Sequence, residues 1–212
     1  MSSALRLVLA SNNAKKLAEL RDMLGGLPVE LVAQGELGIG EAEEPHLTFI
    51  ENALAKARHA AQASGCAALA DDSGLCVDAL AGAPGVISAH YAGEMHSSGD
   101  REARRRLQDA ANNQRLLREL QGAASRRGHF VSTLVAVRHA QDPQPLVAMG
   151  RWPGEILTAP RGALGFGYDP LLFIADQDCT VAEMDAATKN RHSHRARAMA
   201  QLVQQLQAVW LL

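Results

Sequence analysis

The chain is poor in lysine, in aromatic residues and in cysteine. Its 21 basic residues include only four lysines, Lys15, Lys16, Lys56 and Lys189, against 17 arginines. With 23 acidic residues the net charge is −2, which excludes a general attraction to DNA, RNA or anionic lipid. The three cysteines, Cys66, Cys76 and Cys179, form no C-x-x-C and cannot all pair. That predicts a reducing, cytoplasmic setting. No apolar run reaches membrane-spanning length. The start, MSSALRLVLAS, is too short and too lightly charged for a signal peptide, and Asn12 and Asn13 interrupt it. Several catalytic signatures are missing as well. There is no G-x-x-x-x-G-K-[ST], no G-x-G-x-x-G after a strand, no H-E-x-x-H and no G-x-S-x-G. P-loop kinases, dinucleotide enzymes, zincins and serine hydrolases all lose support. Aromatics number eight, so one beside a chemical motif carries weight.

What is present is a core. The 212 residues are 47% hydrophobic, enough for one domain, or one domain with a lobe. Leu5–Ala10 and Val29–Ala33 read as buried strands. Ala14–Leu24 reads as a helix with Leu17, Leu20 and Leu24 on one face. Thr48–Ser64 reads as a second helix, opened by the capping box Thr48-Phe49-Ile50-Glu51, with Ile50, Leu54, Ala57 and Ala61 as its buried stripe. Ala67–Ala70 reads as a strand ending in Asp71-Asp72-Ser73-Gly74. Arg101–Leu120 is a polar helix. Phe130–Val137 and Leu146–Met149 read as a strand pair turned at Asp142-Pro143, Glu155–Thr158 as a short third strand, and Leu171–Ile174 as another. Ser193–Leu211 closes the chain as an amphipathic helix. Interleaved strands and helices with one antiparallel stretch predict an α/β fold with a mixed sheet.

Four constellations could carry chemistry. Ser11-Asn12-Asn13-Ala14-Lys15-Lys16 lies between the first strand and first helix. Backbone N–H groups at a helix start attract anions, and Lys16 adds a charge one turn in, so the segment suits a di- or triphosphate as well as ordinary capping. Asp71-Asp72-Ser73-Gly74 sets two acids side by side at a predicted strand end, where a cation would relieve their repulsion; Mg²⁺ takes oxygen ligands and stays bound to phosphates. Glu41, Glu43 or Glu44 could complete such a metal site. Gly165-Phe166-Gly167-Tyr168-Asp169-Pro170 bares an aromatic ring to a flat partner such as a purine base, with Asp169 able to accept a ring N–H. Lys189-Asn190-Arg191-His192-Ser193-His194-Arg195 gathers donors suited to a carbonyl oxygen or phosphate.

With Thr48-Phe49-Ile50-Glu51-Asn52-Ala53, Lys56 and Gly82-Ala83-Pro84-Gly85, these motifs fall in one order, and the chain resembles the ITP/XTP pyrophosphatases, the Ham1-like proteins, from Leu7 to Leu206. The resemblance implies an elongated mixed β-sheet flanked by helices, in two lobes with the active-site cleft between them, formed by one domain over residues 1–212. It implies Mg²⁺-dependent hydrolysis of dITP, ITP and XTP to the monophosphate and pyrophosphate, by a cytoplasmic homodimer that acts on neither nucleic acid polymer nor membrane. Asp72 would be the catalytic base and a metal ligand, with Glu43 or Glu44 the second ligand. Ser73 would contact substrate. The segment Ser11, Asn12, Asn13, Ala14, Lys15 and Lys16, with Lys56, would hold the phosphates. Phe166 would stack on the base, walled by Gly167, Tyr168 and Asp169, and Lys189, His194 and Arg195 would read the 6-oxo purine. The chain departs from the family pattern at Ile87, His90 and Leu164. A Maf-like pyrophosphatase and a silent nucleotide-binding module are the rivals. Phe166 and Ser193-His194-Arg195 argue against the first, the acid pair against the second.

Overall fold

A computed structural model describes residues 4–94 and 100–211, apart from the side chain of Arg101. In chain order its regular elements are β1 (Leu5–Leu9), α1 (Ala14–Leu24), β2 (Val29–Ala33), α2 (Phe49–Ser64), β3 (Ala67–Val77), α3 (Arg101–Glu119), β4 (Arg127–Val137), β5 (Leu146–Ile156), β6 (Leu172–Ile174), β7 (Cys179–Thr180), α4 (Ala186–His192) and α5 (His194–Val209). The strands form one sheet in the order β2-β1-β3-β4-β5-β6-β7. β1 runs parallel to β2 and β3, while β6 is antiparallel to β5 and β7. The predicted mixed α/β sheet is therefore present. No helix among the described residues is long and apolar enough to cross a membrane.

The chain divides into two units. The first comprises Met1–Asp72, Ser132–Gly150 and Ser193–Leu212. Alternate side chains of a strand point to opposite faces of a sheet, and here each face has its own core. Leu7, Leu9, Ala67, Leu69, Leu134 and Ala136 pack with Leu20 of α1 and Met199 and Leu202 of α5. Val8, Ala10, Ala68, Ala70, Val135 and Val137 pack with Ala53, Ala57 and Ala60 of α2. The alanines of α2 let the helix lie close to the sheet.

Two details of α2 differ from expectation. Ile50 is 41% exposed, and the buried face carries Asn52 and Lys56 beside the alanines. Partners make that burial tolerable: the Asn52 amide exchanges hydrogen bonds with the backbone of His46, and Lys56 meets carboxylates described below. Thr48 caps the helix through the Glu51 N–H, but the Glu51 carboxylate accepts from the Thr48 hydroxyl rather than from its backbone amide.

The second unit comprises Ser73–Val131 and Arg151–His192. Its core gathers Leu75, Val77, Leu116, Leu120, Phe130, Trp152, Ile156, Tyr168 and Leu171. Glu155–Thr158 is not a separate strand, because β5 runs on through Pro153 to Ile156. Trp152 and Ile156 are buried and Arg151, Pro153 and Glu155 exposed, so Pro153 sits on the open face of a period-two strand.

Candidate active site

The acid pair is where the structure departs most from the sequence reading. Asp71-Asp72-Ser73-Gly74 is not a turn at a strand end but the middle of β3. The pleat that sends Leu69 and Ala70 to different cores sends Asp71 and Asp72 to different faces, so the two acids do not share one cation.

Asp71 faces α1 and α5, and its side chain is wholly buried. Its Oδ2 lies 2.8 Å from Lys16 Nζ and 3.2 Å from Arg195 Nη2, and its Oδ1 accepts from the Ser132 hydroxyl at 2.7 Å. Burial favours the neutral acid, but the Lys16 and Arg195 charges outweigh it and hold the Asp71 carboxyl well below its ordinary range. Lys16 is shifted down, because burial and the neighbouring Arg195 and Lys56 outweigh Asp71. Arg195 is 1% exposed and also pairs with Glu19.

Asp72 faces α2. Its Oδ1 accepts from Lys56 Nζ at 2.9 Å, and the same ammonium lies 2.9 Å from Glu44 Oε2. Asp72 Oδ2 is buried without a hydrogen-bond partner. Burial, only partly offset by Lys56 and reinforced by the Glu44 carboxylate, raises the Asp72 carboxyl to about 6. Glu44 moves the other way: burial opposes its ionisation, but Lys56 overrules that and holds it down. Lys56, flanked by both carboxylates, is raised despite its burial.

Among the described residues no group of three or more His, Cys, Asp or Glu side chains is gathered for a metal ion. The Asp72–Glu44 pair nonetheless fits Mg²⁺. That ion is commonly held by one or two carboxylates and completed by water and phosphate oxygens, and the buried Asp72 Oδ2 offers an acceptor that no protein donor uses. Glu43 and Glu44 are both exposed, and Glu41 accepts from Asn12 Nδ2 at 3.2 Å.

At the start of α1, Asn13 caps the helix by accepting from the Lys15 and Lys16 amides, and Ser11 Oγ accepts from the Asn13 amide. The Lys15 and Lys16 amides are satisfied by the Asn13 cap, and Lys16 Nζ is paired with Asp71. Ala14 and Lys15 are exposed, and Ser73 is half-buried in β3.

The second unit holds the aromatic group. Gly165 and Gly167, at φ +78° and +62°, turn the chain on both sides of Phe166. A Cβ on Gly165 would lie 2.0 Å from Asp169 Oδ2, so only glycine lets that carboxylate fold back over the turn. Asp169 Oδ2 accepts from the Phe166 amide at 2.9 Å and from Lys189 Nζ at 2.8 Å. Lys189 Nζ and the Arg105 guanidinium carbon sit 4.4 and 4.5 Å from the Phe166 ring centre, within cation–π range. Phe166, Asp169 and Lys189 are thus brought together as expected.

Tyr168, His194 and Arg195 of the predicted group are all buried. Tyr168 is buried in the core and donates to the Ser88 carbonyl at 2.9 Å. Ser193, expected inside the donor cluster that opens the last helix, is the N-cap of α5, accepting from Ala196 N. Lys189 therefore belongs to α4 in the second unit, and the buried His194 and Arg195 to α5 in the first. The Arg195 guanidinium donates to Asp71 and Glu19. Sequence reasoning missed Arg105; its spacing of four from Asp109 was the available signal.

A family model described as the Ham1 family matches residues 7–205. A dITP/XTP pyrophosphatase of Methylibium petroleiphilum is 66% identical over 207 residues, covering 98% of this chain and 100% of that protein. The solved structure of a HAM1 protein from Coxiella burnetii aligns with a TM-score of 0.87 at 40% identity, covering 97% of this chain and 100% of that one. The crystal structure of a nucleoside-triphosphatase, dITP/XTP pyrophosphatase, from Mycobacterium abscessus aligns with a TM-score of 0.71 at 40% identity, over 94% and 99% of the two chains.

Proposed function

The chain belongs to the Ham1 family, and on that premise we propose that it hydrolyses dITP, ITP and XTP to the nucleoside monophosphate and pyrophosphate. It is then a hydrolase of phosphoric anhydride bonds that removes non-standard purines from the nucleotide pool. It would act on free nucleotides in the cytoplasm, as a homodimer, with Mg²⁺.

The observation that carries the chemistry is Asp72. A carboxylate raised to about 6 and left with one buried oxygen unpartnered is poised to accept a proton near neutral pH. Asp72 and Glu44 would hold the Mg²⁺, which when bound neutralises phosphate charge and lowers the barrier to attack at phosphorus. Asp72 orients a water and takes its proton. Lys56, fixed between the two carboxylates, and Lys16, fixed by Asp71, supply positive charge to the phosphates. Ser11 and Ser73 contact the substrate.

Phe166 stacks on the base. Lys189 donates to the 6-oxo oxygen, and Asp169 accepts the N1–H. Adenine presents an amino group to the lysine and no N1 proton to the carboxylate, which leaves buried polar groups unpaired and discriminates strongly. Product analysis tests the reaction: incubation of dITP with protein and Mg²⁺ should yield dIMP and pyrophosphate in equal amounts. Release of orthophosphate with dIDP would place the cleavage at the wrong phosphorus and refute the assignment.

A further inference from the structure

The sequence marks helix α3 only as polar. Its polar residues make a line of contacts with the turn that carries Phe166. Residues four apart on a helix share a face, and Arg105, Asp109 and Asn113 are so spaced. Asp109 Oδ2 accepts from the Gly167 amide at 2.8 Å, Asn113 Nδ2 donates to the Gly167 carbonyl at 3.0 Å, and Arg105 lies against the Phe166 ring. One glycine is thus held at both its N–H and its C=O by side chains of one helix.

We propose that Asp109 and Asn113 are positioning residues for base recognition: they clamp Gly167 so that Phe166 is set for stacking before the base arrives. This rests on the reading of Phe166 as the stacking residue. Gly167 sits at φ +62° and, having no Cβ, is the residue with most freedom to lose. The Gly167 amide is the peptide bond that follows Phe166, so the Asp109 contact fixes the plane on which the Phe166 backbone turns. Ordering that peptide in the free protein removes a cost that base binding would otherwise meet, which is preorganisation. Asp109 and Asn113 are assigned no contact with base or phosphate, so their effect passes through Phe166 and is confined to recognition of the base.

The test compares Asp109→Ala, Asn113→Ala and Asp109→Asn with the parent protein. The readouts are kcat and KM for dITP, the inhibition constant of inorganic tripolyphosphate, and hydrogen exchange at the Gly167 amide. Loss of one such hydrogen bond should raise KM for dITP about three- to tenfold, with kcat and tripolyphosphate inhibition little changed. Exchange at Gly167 should accelerate in Asp109→Ala. Asp109→Asn keeps an acceptor oxygen and should recover the parent KM. The proposal is overturned if KM is unmoved in both alanine variants, if tripolyphosphate binding weakens in step with dITP, or if Asp109→Asn is as impaired as Asp109→Ala. Parent protein that releases no pyrophosphate from dITP would sink the functional reading instead. The exchange measurement would then still decide the clamp, since unchanged Gly167 exchange in Asp109→Ala refutes it.

Discussion

Replacing Asp72 with Asn should stop turnover and yet make the folded protein more stable. Asp72 moves from an ordinary 3.8 to about 6 in the folded chain, a shift of roughly two pH units, or about 3 kcal/mol at 1.36 kcal/mol per unit. The sign follows from proton linkage. Below pH 3.8 Asp72 is protonated whether folded or unfolded and contributes nothing. Between 3.8 and about 6 the unfolded chain ionises first, so the folded state loses stability as pH rises. Above 6 the full penalty is present. Asn resembles the protonated acid in shape and keeps an acceptor for Lys56, so it escapes the penalty. The variant should gain about 1–3 kcal/mol at pH 7.5, the lower value allowing for relaxation around Glu44, which at ~2–4 °C per kcal/mol raises Tm by several degrees. Thermal melts in EDTA from pH 4 to 8 measure this, and the advantage should grow from pH 4 to 6 and then level off. Activity with Mg²⁺ should fall by about 10²–10⁴-fold. An Asp72→Asn protein no more stable than the parent at pH 7.5 would show that Asp72 is not held at a cost for function.

Two other substitutions separate the groups at the site. Arg195→Met leaves the buried Asp71 short of a partner and should cost about 3–5 kcal/mol, read as an earlier urea midpoint; unchanged stability with altered base preference would return Arg195 to base reading. Phe166→Ala should raise KM for dITP roughly 5- to 150-fold, the equivalent of about 1–3 kcal/mol of stacking, while tripolyphosphate inhibition stays put. An equal loss of tripolyphosphate binding would mean that the ring supports the fold and not the base.

The helices α1 and α2 were legible in sequence because capping residues precede long runs of apolar period, and the structure places both with the predicted ends. Lys16, Asp72, Phe166, Asp169 and Lys189 were legible as residues worth singling out. Their pairings were not. Asp71-Asp72-Ser73-Gly74 has turn-type composition, yet β3 continues through it to Val77, past its pairing with β1 at Ala67–Leu69; once it is strand, the pleat parts the acids. That Glu44 reaches Lys56 rests on a contact between elements with no local signature. Tyr168 looked like a neighbour of Phe166 in the chain, but consecutive residues of a turn point apart, and its ring went to the core. Exposure patterns hid the inner polar line of α3, because Asp109 and Asn113 are satisfied by backbone groups 58 and 54 residues away.

The central claim is that this chain is a pyrophosphatase that reads the 6-oxo edge of a purine. The most direct measurement is the initial rate of pyrophosphate release from dITP and from dATP under identical conditions with Mg²⁺. Unpaired buried polar groups at a site built to hydrogen-bond its substrate discriminate by about 10⁴-fold or more at best, and a ratio of at least about 10²-fold in favour of dITP is expected. Equal rates on the two nucleotides, or release from neither, would contradict the account.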